Sequence, residues 1–249
     1  MRGTGMQLTG KQILITGGNS GIGLHLVRQL HTKQNHIIVV SRTQNQWDDL
    51  KALQPEVTLL QCDLGCKEQI LQMVQQLKEK EITLDLLVNC AAIQNTPKLI
   101  DKDFRFDDIA PEVITNFVAP VWLIHLLLPD LLTHSEAAIV NISSGLAFYP
   151  KTTSAVYCAT KAALHNFSQS LRYQLAETTV CVMEVILPLV DTPMTTGRGK
   201  GKVSPEYAAQ KIIEGIQRNR NEIYVGKARL LPLMMSIWPG HVKRILQRY

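Results

Sequence analysis

The side chains best suited to chemistry are Ser144, Tyr157 and Lys161. Tyr157 and Lys161 stand four apart in Ser-Ala-Val-Tyr-Cys-Ala-Thr-Lys-Ala-Ala-Leu, a stretch that reads as helix, so they share one helix face. An ammonium beside a phenol favours phenolate, so the pair is expected to lower the Tyr157 pKa and make it a proton donor usable near neutral pH. Ser144 follows an apolar strand at 138–142, where its hydroxyl would hold a substrate carbonyl against the phenol. Tyr and Lys at this spacing also occur on ordinary solvated helices, so the surroundings have to decide.

A second feature lies near the N-terminus. A strand at 12–16 runs into Thr16-Gly17-Gly18-Asn19-Ser20-Gly21-Ile22-Gly23 and then a helix. Glycines at a strand-to-helix turn let the backbone approach a pyrophosphate, and the helix supplies free N–H groups and positive dipole. The next strand ends in Val39-Val40-Ser41-Arg42, without the acid that would bond ribose hydroxyls and favour NAD(H). Arg42 instead offers a planar cation to a 2′-phosphate, so NADP(H) is preferred, the alternative being a plain surface charge. Asp63 closes the third strand, either accepting from an adenine amine or capping the following helix.

Elements that position these groups follow from the apolar periodicity. Strands are predicted at 12–16, 36–40, 57–61, 84–88, 138–142, 180–187 and 222–225, with helix-length segments between them. Ile70, Met73, Val74 and Leu77 fall on one helix face, Pro111 starts a helix running through Asn116, and Ser204-Pro205 reads as a helix cap. Strands apolar throughout, alternating with helices, indicate a parallel sheet covered on both faces. The chain therefore reads as one α/β domain over 1–249, a doubly wound Rossmann fold of about seven strands. Residues 192–202 hold three glycines and three basic residues and read as a mobile loop at the carboxyl edge of the sheet.

Composition is that of an ordinary globular chain, 45% hydrophobic and 19% charged over 249 residues. No run approaches the roughly 20 apolar residues of a membrane span, and the first residues lack an apolar signal core, so a cytoplasmic location is expected. Five scattered cysteines and seven dispersed histidines give no metal pattern. Five of the 26 basic residues lie in 226–249, which has no acid; the remaining 21 balance the 21 acidic residues. The excess charge belongs to the tail and does not mark a nucleic-acid binder. That tail also carries Trp238 and many apolar residues. Contact with a membrane surface or an acidic carrier is weighed against packing over the substrate pocket or a subunit contact, and packing is favoured.

These motifs together resemble the short-chain dehydrogenase/reductase family over nearly the whole chain, and the region 137–164 is similar to the DltE-type oxidoreductases within it. The resemblance places the family's glycine turn on Gly17, Gly21 and Gly23 and its catalytic set on Asn116, Ser144, Tyr157 and Lys161. It chooses Ser144 over Ser143 by the distance to the tyrosine. It also implies cofactor contacts at Asn89, Ala91 and Thr192, a Lys161 grip on the nicotinamide ribose, and a water positioned by Asn116. A homodimer or homotetramer is implied likewise. Asn89-Cys90-Ala91-Ala92 and Leu187-Pro188 depart from the family's Asn-Asn-Ala-Gly and Pro-Gly, placing bulkier residues beside the nicotinamide.

The reaction so implied is hydride transfer between a nicotinamide and a carbonyl or secondary alcohol, with Tyr157 as the acid/base. The competing reading is a non-catalytic NADP(H) sensor or scaffold on the same fold, which the filled catalytic positions disfavour.

Overall fold

The computed structural model describes residues 5–53 and 57–247. The N-terminal reading of residues 1–4, and Arg248 of the basic tail, lie outside them. Seven parallel strands form one sheet in the order β3-β2-β1-β4-β5-β6-β7. They are β1 (Gln12–Thr16), β2 (His36–Ser41), β3 (Val57–Gln61), β4 (Leu86–Asn89), β5 (Ala137–Ser144), β6 (Val180–Leu187) and β7 (Glu222–Tyr224). β4 starts later than its apolar run suggests, because the Leu84 amide donates to the Asp130 carboxylate at 2.8 Å. β5 runs two residues past Ile142, so Ser144 is its last residue.

Side-chain alternation on each strand feeds two cores. Ile13 and Ile15 of β1 pack on one face with Leu26, Val27 and Leu30 of α1 (Gly21–His31) and with Ile212 and Ile216 of α7 (Pro205–Gln217). Leu14 points the other way, to a layer with Ile70, Met73 and Leu77 of α3 (Lys67–Glu79). Ser204 caps α7 as expected, its hydroxyl accepting from Tyr207 N at 3.1 Å.

On that second face α4 (Ile109–Val113), one π-helical turn (Ile114–Val118) and α5 (Ala119–Leu131) run on continuously. By length and composition alone this helix could cross a membrane. Leu123, Leu127 and Leu131 on it are buried in the core. The sheet order reverses between β1 and β4, each flanked on its other side by β2 and β5, so a crevice opens at their carboxyl ends. α2 (Trp47–Leu53) follows β2, and α6 (Ala155–Gln174) brings Tyr157 and Lys161 to that edge.

The chain ends in α8 (Leu231–Ile237) and α9 (Pro239–Gln247). The Gln247 carbonyl accepts from Thr152 N at 3.1 Å and Thr152 Oγ1 at 2.7 Å. The tail is thus tied to the segment after β5, while Leu233, Ile237 and Trp238 stay exposed.

Candidate active site

The glycine turn forms one wall of the crevice. Gly17 has φ +68°, and a Cβ there would lie 3.0 Å from the Ala91 backbone. A Cβ on Gly23 would lie 2.3 Å from the Gly17 carbonyl oxygen, so α1 can approach the turn only without one. Ser20, at the N-cap of α1, makes no side-chain capping bond, which leaves the first-turn N–H groups to the crevice. Asn19 turns away and donates to Thr43 O at 3.1 Å, holding the loop after β2. Thr16 does not line the crevice; its hydroxyl accepts from Cys90 N (3.0 Å) and Ala91 N (3.1 Å), latching β1 to the end of β4. The crevice has a volume of about 530 Å³. Of the predicted cofactor residues, Gly17, Asn19, Ser20, Gly21, Ile22, Gly23, Arg42, Asp63, Ala91, Tyr157, Lys161 and Thr192 flank it.

At the outer end Arg42 is exposed and its guanidinium has no ion pair among the described residues. Asp48 and Asp49 sit in the first turn of α2 and do not line the crevice. Asp63 Oδ1 accepts from Gly65 N at 2.8 Å, which closes the turn before α3 and does not cap that helix, whose N-cap is Cys66; the acid also borders the crevice. Thr192 leans on the glycine turn, its Cγ2 3.1 Å from where a Gly21 Cβ would stand. The loop it opens is tied down: Lys202 Nζ donates to Asp191 Oδ1 (3.0 Å) and Thr195 O (2.7 Å).

At the inner end Lys161 is 3% exposed and its ammonium donates to Ile142 O at 2.8 Å, 5.6 Å from the centre of the Tyr157 ring. Burial brings the Lys161 pKa down to about 8, against opposing pulls from Cys90 and Glu184. Tyr157 departs from expectation. Burial pushes its phenol above the ordinary range, Cys158 and Glu112 add to this, and only Arg198 opposes it. The lysine charge sits under the ring, engaged with a carbonyl, and does not outweigh the loss of water around the hydroxyl. Ser144 Oγ accepts from Leu146 N at 3.1 Å, which leaves the hydroxyl proton to donate outward. Ser143 Oγ is buried with no partner among the described residues and faces the same space.

Asn116 lies in the π-helical turn and does not border the crevice. Both amide protons are used, on Ile93 O (2.9 Å) and Thr160 Oγ1 (3.2 Å), and its Oδ1 accepts from Ile93 N (2.9 Å). It therefore clamps the segment after β4 to α6, with one Oδ1 lone pair left for a water. Asn89 is likewise behind the surface, donating to Asn141 Oδ1 at 2.9 Å. Asn141 in turn donates to Ser168 Oγ at 2.9 Å, fastening α6 to the sheet. Cys90 and Ala92 do border the crevice, and burial raises the Cys90 thiol to about 11, leaving it an inert packing group.

Some neighbours were not legible as site residues. His165, one turn beyond Lys161, bonds the fully buried Glu184 of β6 at 2.7 Å and stacks edge-on with Phe148. Its pKa is raised by that hydrogen bond. A second cavity, about 620 Å³, opens on the other side of Tyr157 under α8 and α9. Tyr157, Ser143, Leu187 and Thr192 border both spaces, so the two meet at the phenol.

A nicotinamide dinucleotide suits the crevice. A Cβ at Gly17 or Gly23 would crowd the glycine cradle, helix N–H groups face it, and Arg42, free of any ion pair among the described residues, borders it. These features define a dinucleotide-binding oxidoreductase fold. Residues 11–203 match the family model for short chain dehydrogenases, and the chain belongs to that family. It is 37% identical over 230 residues to the uncharacterized oxidoreductase DltE of Bacillus subtilis, covering 88% of this chain and 89% of that one. It is 30% identical over 239 residues to a fatty acyl-CoA reductase of Acinetobacter baylyi, covering 92% and 81%. A short chain dehydrogenase from Burkholderia cenocepacia, solved in complex with NADP, superposes with a TM-score of 0.86 at 21% identity, covering 97% and 99%.

Proposed function

We propose that this protein transfers hydride reversibly between NADP(H) and a carbonyl or secondary alcohol, with Tyr157 as general acid/base. One observation carries the reading: Tyr157 stands where the dinucleotide crevice meets a second, apolar cavity, the position a proton donor needs between cofactor and substrate. When bound, the nicotinamide supplies or accepts the hydride.

The rest is work for the chain's own residues. Burial keeps Tyr157 protonated at neutral pH, and a phenol, even a weakened one, gives its proton to an alkoxide, which is far more basic. Ser144, its lone pair engaged by Leu146 N, donates to the substrate oxygen and holds it against the phenol. Lys161, with a pKa of about 8, is charged at pH 7 beneath the Tyr157 ring, and Arg198 favours the phenolate left behind. Asn116 and the Asn89–Asn141–Ser168 ladder keep α6 in register with the strand ends. NADP(H) is preferred because Arg42, which no carboxylate engages among the described residues, matches a 2′-phosphate.

The deciding experiment is Tyr157→Phe with NADPH and a panel of carbonyl compounds. Turnover should fall about 10²–10⁴-fold while NADPH still quenches tryptophan fluorescence as in the parent. Undiminished turnover refutes the role given to Tyr157. Tight NADPH binding with no turnover of any carbonyl by the parent favours the sensor.

A further inference from the structure

The second cavity has an uneven chemistry. Its walls are apolar: Leu146, Leu187, Leu231, Met234, Val242 and Leu246 all face it. Three cations border it as well, Lys151, Arg198 and Lys227, and no aspartate or glutamate does. Lys151 comes from the segment after β5 and Arg198 from the loop after β6, so they reach the cavity from different walls. Arg198 Nη1 is anchored by Gln94 Oε1 at 2.9 Å. Among the described residues neither Lys151 nor Arg198 has a carboxylate partner.

Two half-buried like charges repel, and a fold that holds them together without a counter-ion leaves a place for an anion. Burial and the neighbouring Arg198 both lower the Lys151 pKa, as expected for cations that share a poorly solvated space. Arg198 also acts electrostatically on Tyr157, which places the cationic pair near the reacting end of the cavity.

Resting on the oxidoreductase reading, we infer that the substrate is an aliphatic oxo or hydroxy acid: its anionic group sits between Lys151 and Arg198, close to the carbonyl at Tyr157, and its hydrocarbon chain lies under α8 and α9. The cavity volume, about 620 Å³, is in the range that small ligands fill. Lys227, exposed at the mouth, attracts the anion on approach.

The test separates binding from turnover. Calorimetry of the full chain with decanoate and with decan-1-ol should show the acid binding at least tenfold more tightly. In Lys151→Gln/Arg198→Gln that preference should shrink to about twofold or less. Lys151→Gln alone, which breaks no side-chain hydrogen bond, should lose part of it. With NADPH, 2-oxodecanoate should exceed its methyl ester in kcat/KM by at least tenfold, and 9-oxodecanoate should show no such advantage. Equal affinity for acid and alcohol in the parent overturns the inference, as does an acid preference that survives the double substitution. Tyr157-dependent reduction of neutral ketones would then leave the oxidoreductase reading intact. Conversely, an anion preference seen by calorimetry in a protein indifferent to Tyr157→Phe would sink the catalytic assignment and spare the anion site.

Discussion

Lys161→Met is the perturbation whose effect follows most directly from the structure. The parent side chain is 3% exposed, and burial takes its pKa from 10.5 to about 8. Each pH unit of such a gap is worth roughly 1.4 kcal/mol, so the folded chain bears about 3 kcal/mol for keeping this ammonium out of water. The sign follows from proton counting. Below pH 8 the lysine is charged in both states and the whole cost is present. Between pH 8 and 10.5 the folded chain releases the proton while the unfolded chain keeps it, so stability rises with pH through that window. Methionine has no charge to bury, and the lost bond to Ile142 O adds only a roughly constant offset. The stability of Lys161→Met minus that of the parent, from urea unfolding of the cofactor-free proteins, should therefore fall by about 3 kcal/mol from pH 7.5 to 10.5. Groups that do not feel Lys161 cancel in the difference, and Cys90, which does, is held near 11, above this window. Parallel stability curves would refute the claim that Lys161 is held charged against its surroundings.

Three further outcomes are expected. Gly23→Ala places a Cβ 2.3 Å from Gly17 O, so the turn has to open by ~1 Å to restore ordinary contact; NADPH affinity by fluorescence titration should drop at least tenfold, and an unchanged Kd would contradict the close-approach reading. Arg42→Ala removes charge-assisted bonds to a 2′-phosphate and should weaken NADPH about 10–100-fold with little effect on NADH; equal losses for both would rule out that contact. His165 is held above its ordinary 6.5 by Glu184, so the pair's stabilisation is complete below pH 6.5 and is lost as pH rises through the raised value. The parent's advantage over His165→Gln in urea should be larger at pH 6 than at pH 8.5, and a flat difference would show that the pair does not titrate.

What could be read without coordinates was local. The glycine turn, the shared face of Tyr157 and Lys161, the Ser204 cap and the missing acid beside Arg42 each depend on a few consecutive residues. Strand positions were legible because parallel strands buried on both faces stay apolar throughout. The boundary at Leu84 was not, because the group that claims its amide, Asp130, is 46 positions away. For the same reason Asn141 and Ser168 look like incidental polar residues in the chain and become the fastening of α6 only in space.

The contrast is sharpest at Tyr157. Its neighbour Lys161 predicts a more acidic phenol, whereas the assembled site makes it less acidic. A pair interaction follows from spacing along a helix, but desolvation depends on every element that closes around the hydroxyl. By itself the sequence determined a doubly wound parallel sheet with a dinucleotide turn and a Tyr–Lys helix face, because hydrophobic period and glycine placement act over a few residues. Only the tertiary structure decided which charges go unpartnered at Lys151 and Arg198, what closes the apolar cavity, and which protons are held. Those properties are set by distances and water exclusion between segments remote in the chain.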